Sequence, residues 1–158
     1  MNLIFRVDDR LIHGQVTAGW VRPLGIERII LANDEVSNDE WEKEIYKLSV
    51  PPEVEVEILS IADAASFIKS NCAKKKTMIL TNSIKDMLRI MNYGLKIDKI
   101  NIGGLHFQEG KKSYATYIFL SDEDIEYAKQ LINAGVLIEG REIPGSPSIN
   151  INSLLKNS

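Results

Sequence analysis

The chain has 158 residues, a formal net charge of −3, and 44% hydrophobic and 26% charged residues, which is enough for one ordinary domain with a real core. So slight a charge gives no electrostatic case for nucleic-acid binding. The single cysteine, Cys72, excludes an internal disulfide, gives no metal-ligand spacing and fits a reducing cytosol, and no apolar run approaches the about 20 residues of a membrane span.

Met1-Asn2 runs straight into Leu3-Ile4-Phe5, an apolar run that predicts a buried first strand with no signal peptide ahead of it. Gln15 to Val21 predicts a helix, broken at Pro23-Leu24-Gly25. Ile26 to Asn33 predicts a second strand, nearly continuous in apolar residues and so buried on both faces. Ser37 or Asn38 is positioned to cap a helix running to about Leu48, with Trp41, Ile45 and Leu48 at helical spacing, and Pro51-Pro52 stops it. Trp20 and Trp41, both at helical apolar positions, are expected in the core.

Val54 to Leu59 alternates with glutamates, as a strand with one wetter face does. Ser60 caps a helix carrying Ile61, Ala64, Ala65 and Ile68. Lys74-Lys75-Lys76 reads as a solvated turn before the buried strand Thr77–Thr81. Ser83 caps a helix ended by Gly94, and Ile97 to Ile102 predicts a fifth strand. Gly103-Gly104 then permits backbone shapes closed to other residues. Leu105 to Phe107 and Ala115 to Leu120 predict a hairpin or paired edge strands joined through Gly110-Lys111-Lys112. Ser121 caps a helix with three acids in its first turn, Val136 to Glu139 is the last full strand, and the tail is loop with a short helical turn near Leu154. Strand and helix alternate throughout. The expected fold is therefore α/β: one domain, 1–158, with a mostly parallel central sheet, helices on both faces and an antiparallel edge hairpin.

Between the first strand and first helix lies Arg6-Val7-Asp8-Asp9-Arg10-Leu11-Ile12-His13-Gly14-Gln15-Val16. Open α/β sheets bind ligands beyond the carboxyl ends of their strands, and a helix start favours an anion. A nucleophilic histidine needs one free ring nitrogen, a hydrogen bond on the other, and cationic donors for the group it accepts. His13 is the candidate nucleophile, with a satisfied structural or surface histidine as the competing reading. Arg10 is the best candidate clamp, because its fork matches phosphate oxygens. Arg6 is a weaker one, with an ion pair to Asp8 or Asp34 as the competing reading. Backbone N–H groups of Gly14 and Gln15 add donors, and Gly14 leaves room for the phosphoryl group. Either Asp8 or Asp9 orients the imidazole or an arginine. Ser83 ends another strand and is a weak phosphate donor, since helix capping explains it as well. His106 follows a strand and Gly-Gly and so could border the same crevice; the competing reading is a hairpin residue with no chemistry.

Asp8 to Val16 (Asp-Asp-Arg-Leu-Ile-His-Gly-Gln-Val) closely resembles the active-site loop of the IIB subunits of the mannose/fructose/sorbose family of the bacterial phosphoenolpyruvate-dependent sugar phosphotransferase system. Ala32-Asn33-Asp34-Glu35-Val36, Asn38-Asp39-Glu40, Pro51-Pro52 and Asn101 to Phe107 followed by Gly110-Lys111-Lys112 resemble further landmarks in order, so the likeness covers nearly the whole chain. The resemblance implies a phosphocarrier, a transferase. Its loop histidine accepts a phosphoryl group from a IIA phosphohistidine and passes it to a sugar held by membrane IIC and IID subunits. The pros nitrogen of His13 is a candidate position, though the residues themselves leave the nitrogen open. No cofactor, no metal, no nucleic acid and no direct membrane insertion are implied; the location is cytoplasmic, peripheral at the membrane through IIC/IID, and a homodimer is compatible. Two departures stand out: Tyr114-Ala115-Thr116-Tyr117 replaces an expected lysine, and Arg141 to Ser146 lacks an acid after its proline. Either could alter the partner surface. The competing functions are a regulatory paralogue that binds partners without onward transfer, and a histidine phosphoenzyme acting on soluble phosphate esters.

Overall fold

A computed structural model describes residues 2–71 and 74–156. The expectations placed on Met1 and Cys72 lie outside the described residues. The strands are β1 (Leu3–Asp8), β2 (Arg28–Ala32), β3 (Glu55–Leu59), β4 (Thr77–Thr81), β5 (Lys99–Gly104), β6 (Lys112–Ala115), β7 (Ile118–Leu120), β8 (Leu137–Gly140) and β9 (Ile149–Asn150). Seven of them form one sheet in the order β3-β2-β4-β1-β5-β8-β9, while β6 and β7 pair separately. Every pairing in the large sheet is parallel except β8 with β9.

The helical segments are α1 (Gly14–Val16), a π-helical turn (Thr17–Val21) and α2 (Arg22–Leu24), which run on from one another, then α3 (Asp34–Ser37), α4 (Glu40–Leu48), α5 (Ile61–Asn71), α6 (Ile84–Asn92), α7 (Asp122–Asn133) and α8 (Ile151–Leu155). The chain moves outward from β1 to β3 and returns through β4 to β5 and β8. Right-handed crossovers put the helices of these two journeys on opposite faces. Accordingly, Phe5, Val7, Ile30, Ile79 and Ile102 pack under α5, α6 and α7 through Ile61, Ile68, Met87 and Leu131. The alternate strand residues Ile29, Leu31, Met78 and Leu80 pack on the other face with Val16, Trp20 and Val21. β1 lies between β4 and β5, where the direction of winding reverses. A ligand crevice belongs at its carboxyl end.

Four expectations need correcting. Trp20 is buried, but Trp41 is 77% and Leu48 83% exposed. Periodicity shows that α4 has an apolar stripe, not which way the stripe turns; its half-buried side is Glu42, Lys43 and Tyr46. The cap of α4 is Asp39, whose side chain accepts from Glu42 N–H, because Asn33 has already capped the separate turn α3. The hairpin strands are Lys112–Ala115 and Ile118–Leu120; Leu105 instead makes a parallel bridge to Ile118 that ties the hairpin to the end of β5. Gly103 and Gly104 have no left-handed backbone: what they supply is space. A Cβ on Gly103 would overlap the Arg6 guanidinium, and one on Gly104 would lie 3.2 Å from Arg10 Nη2 and 3.3 Å from Asp8 Oδ1.

Candidate functional site

The β1–β5 register slips between Val7 and Asp8, so that Asp8 stands opposite Gly104. Bulges of this kind re-aim side chains at sheet ends. Leu11 follows at φ 58, a left-handed turn that costs an ordinary residue about 1–2 kcal/mol. Leu11 and Ile12 are buried in the apolar cluster beneath α1, which holds that turn in place. The loop therefore doubles back and aims Arg10 and His13 at Asp8.

Asp8 is the hub. Its side chain is fully buried, and Oδ2 lies 3.1 Å from His13 Nε2. Arg10 donates to it two-pronged, Nε to Oδ1 at 3.1 Å and Nη2 to Oδ2 at 3.0 Å, and the Arg10 backbone N–H adds a third bond to Oδ1 at 3.1 Å. Arg6 Nη2 lies 3.5 Å from Oδ2. Burial alone would raise the Asp8 carboxyl, but the hydrogen bonds from His13 and Arg10 outweigh it and hold its pKa at about 2. Asp8 is therefore a carboxylate at neutral pH and can only accept.

That settles the imidazole. Nε2 facing a carboxylate must carry the hydrogen, which leaves a lone pair on Nδ1. Nδ1 accepts the Gln15 backbone N–H at 3.3 Å, so the ring is itself the N-cap of α1. This helix start has no Ser, Thr, Asp or Asn; a ring nitrogen stands in for the usual capping oxygen. A group bonded to Nδ1 would sit against the free N–H groups and positive end of the helical run 14–24. A Cβ on Gly14 would meet nothing within 4 Å, so neither packing nor backbone conformation requires glycine there. Arg10 Nη2 also donates to Gln15 Oε1 at 2.8 Å, which brings the guanidinium over the same spot, and its Nη1 makes no hydrogen bond among the described residues. The arrangement presents a ring nitrogen with its lone pair outward, one cationic fork and backbone donors at one point.

The other sequence candidates lie elsewhere. Arg6 is a correction: it is fully buried, with Nη1 and Nη2 donating to the carbonyls of Arg141 and Glu142 at 3.0 Å each. Its guanidinium stacks 4.5 Å from the Trp20 ring centre, and Trp20 Nε1 also donates to the Glu142 carbonyl at 2.7 Å. Arg6 thus props the Arg141–Glu142 backbone and backs Asp8, with no exposed surface left to offer a ligand. Burial lowers its pKa to about 10, with Asp8 opposing, so it stays charged. Ser83 caps α6 through the Asp86 N–H and makes no bond to the loop. Asp9 does not touch His13. It holds His106, accepting the His106 backbone N–H at 2.7 Å and facing His106 Nδ1 at 2.6 Å. Residue reading missed the Asp9–His106 pair and the role of Trp20, because both depend on strand order. The Gly-Gly was their only local signal. Among the described residues no group of three or more His, Cys, Asp or Glu side chains is arranged for a metal ion, and no helix is long and apolar enough to cross a membrane.

Residues 2–158 match the family described as PTS system sorbose subfamily IIB component. The sorbose-specific EIIB component of Klebsiella pneumoniae is 34% identical over 147 residues, covering 92% of this chain and 90% of that one. The mannose-specific EIIAB component of Escherichia coli K12 is 31% identical over 95% of this chain, which spans only 47% of that longer protein. The crystal structure of the IIB domain of the Klebsiella pneumoniae sorbose permease superposes with a TM-score of 0.90 at 31% identity, covering 100% of this chain and 98% of that one.

Proposed function

Because the chain belongs to the sorbose subfamily of IIB components of the sugar phosphotransferase system, we propose that it is a phosphocarrier whose His13 Nδ1 takes a phosphoryl group and hands it to a sugar. Family membership makes the chain a transferase component of sugar transport. The finer reading rests on one observation above all: Asp8 holds Nε2–H while Nδ1 opens onto the helix start. Phosphoryl transfer between two nitrogens needs positioning and charge stabilisation more than covalent help. Nδ1 attacks phosphorus, the donor nitrogen leaves with its electron pair, and no proton has to move. Asp8 stabilises the partial charge that builds on the ring. Arg10 and the Gly14 and Gln15 N–H groups receive the equatorial oxygens.

The donor is a IIA protein or domain carrying phosphohistidine; the joined EIIAB arrangement of the mannose relative supports this. The acceptor is a sugar held by membrane IIC and IID subunits, which the chain meets from the cytoplasm as a single IIB domain. The test is incubation with phosphoenolpyruvate, the general phosphotransferase components and IIA. Acid-labile label should appear on the wild type and be lost in His13→Ala. Label that survives His13→Ala would defeat the assignment, and turnover of small phosphate esters by the isolated chain would favour a soluble phosphoenzyme instead.

A further inference from the structure

We propose that His106 is the proton acceptor for the hydroxyl that removes the phosphoryl group from His13; the proposal rests on the phosphocarrier reading above. Asp8 and Asp9 are neighbours in sequence, and each holds a different histidine: Asp8 holds His13, and Asp9 holds His106. In the first pair the proton sits on Nε2 and the free lone pair on Nδ1. In the second the order is reversed. His106 Nδ1 faces the Asp9 carboxylate at 2.6 Å, so Nδ1 carries the hydrogen and the lone pair lies on Nε2. Nε2 makes no bond among the described residues, and the side chain is 60% exposed.

The ring is exposed but fixed. The other Asp9 oxygen takes the His106 backbone N–H. Leu105, one residue earlier, bonds on both sides to the hairpin, its N–H to Tyr117 O and its carbonyl to Phe119 N–H, each at 2.9 Å. Phe107, one residue later, packs edge-on against Phe119 at 5.6 Å. The ring is also well placed. Gly104 stands opposite Asp8 and its carbonyl takes the Asp9 N–H, so His106, two residues beyond Gly104 and held by Asp9, lies at the same end of β1 and β5 as the His13 loop and borders its crevice.

The two half-reactions differ in what they ask of such a group. Loading moves a phosphoryl group from one imidazole to another, and no O–H bond breaks. Unloading does break one. The hydroxyl oxygen attacks phosphorus, the P–Nδ1 bond breaks with its electron pair returning to His13, and the hydroxyl proton passes to His106 Nε2. The imidazolium so formed lies against Asp9, which stabilises it, and later gives its proton to water. A carboxylate that fixes the tautomer and orientation of a general base, without itself taking the proton, acts in the same way as the aspartate of a serine-protease triad.

The experiment separates the halves. His106→Ala and His106→Gln are loaded from phosphorylated IIA, and the rate of His13 labelling is read by rapid quench. The labelled proteins are then chased in membrane vesicles carrying the IIC and IID subunits, with sorbose, mannose, fructose and N-acetylgalactosamine as acceptors. The expected result is an unchanged loading rate, which also reports an intact fold, and unloading slowed on the order of a hundredfold in both variants. Asp9→Asn should slow unloading in the same direction. Equal slowing of both halves, or unloading at the wild-type rate, would overturn the proposal. Absence of label on wild-type His13 would instead overturn the phosphocarrier reading and this proposal with it.

Discussion

At the scale of single residues, the loop works because its charges are shared rather than paired off. Arg10 spends Nε and Nη2 on Asp8 yet keeps Nη1 without a hydrogen bond among the described residues. Lysine at this position could hold one Asp8 oxygen but not span both while reaching a phosphoryl group. Arg10→Lys is therefore expected to slow His13 labelling by about a hundredfold, the cost of losing one well-placed donor, about 2.7–4 kcal/mol in the barrier. Its side chain is 38% exposed, so the change in stability should stay within about 1 kcal/mol. Rapid-quench labelling beside a denaturant melt reads both, and an unchanged rate in an intact fold would return Arg10 to a surface ion pair. The choice of Asp8 over Asp9 was not legible in the sequence. Both acids sit where β1 ends, and only the register slip at β5 and the left-handed turn at Leu11 aim His13 at Asp8 rather than at Asp9. The sequence leaves Arg6 between a weak phosphate clamp and an ion pair with Asp8 or Asp34, because burial of a guanidinium is visible only once two backbone carbonyls and Trp20 are seen around it.

At the scale of elements, β1 and β5 lie side by side only because Gly103 gives the Arg6 guanidinium somewhere to go. Gly103→Ala must displace a buried cation that Asp8 relies on. The expected loss is about 3 kcal/mol or more in a denaturant melt, with labelling reduced in step. Gly14→Ala is the contrast. A methyl there meets nothing within 4 Å and alanine is the better helix former, so stability should hold or rise slightly. Labelling should nonetheless slow, because the methyl enters space assigned to the phosphoryl group. Equal effects of the two alanines on stability would contradict this division between packing glycine and site glycine. The strands were legible because continuous apolar runs such as Ile29 to Ala32 leave a buried strand few alternatives. The outward stripe of α4 was not, since amphipathicity marks a face without saying what it meets.

For the whole molecule, the hub predicts acid lability. The folded Asp8 carboxyl titrates at about 2 against about 3.9 in an unfolded chain. A depressed carboxyl contributes stability that is fully present above the unfolded value and is lost as pH falls through the folded one. Asp8 should therefore contribute about 2–3 kcal/mol that is lost progressively below about pH 5, most of it between about pH 4 and pH 2. Asp34, lowered by the Ile61 backbone N–H, and Glu55, lowered by Arg28, act in the same direction. Melts across this range should show wild-type stability falling, and the deficit of Asp8→Asn shrinking as pH drops; a deficit constant with pH would show that Asp8 is not the titrating hub. The parallel sheet and the crevice at the end of β1 were legible from strand–helix alternation and one polar loop. The partners across that crevice, Gly104 at the end of β5 and His106 just beyond it, lie nearly a hundred residues on, and local pattern could not pair them with the loop.

The central claim is that Asp8 fixes the His13 tautomer so that Nδ1, facing the helix start, accepts the phosphoryl group. The most direct test is ¹⁵N and ³¹P NMR of the protein, labelled with ¹⁵N-histidine and loaded from phosphorylated IIA. The account predicts a phosphorus–nitrogen coupling at His13 Nδ1, with Nε2 still protonated against Asp8. Phosphate on Nε2, or on any residue other than His13, would contradict it.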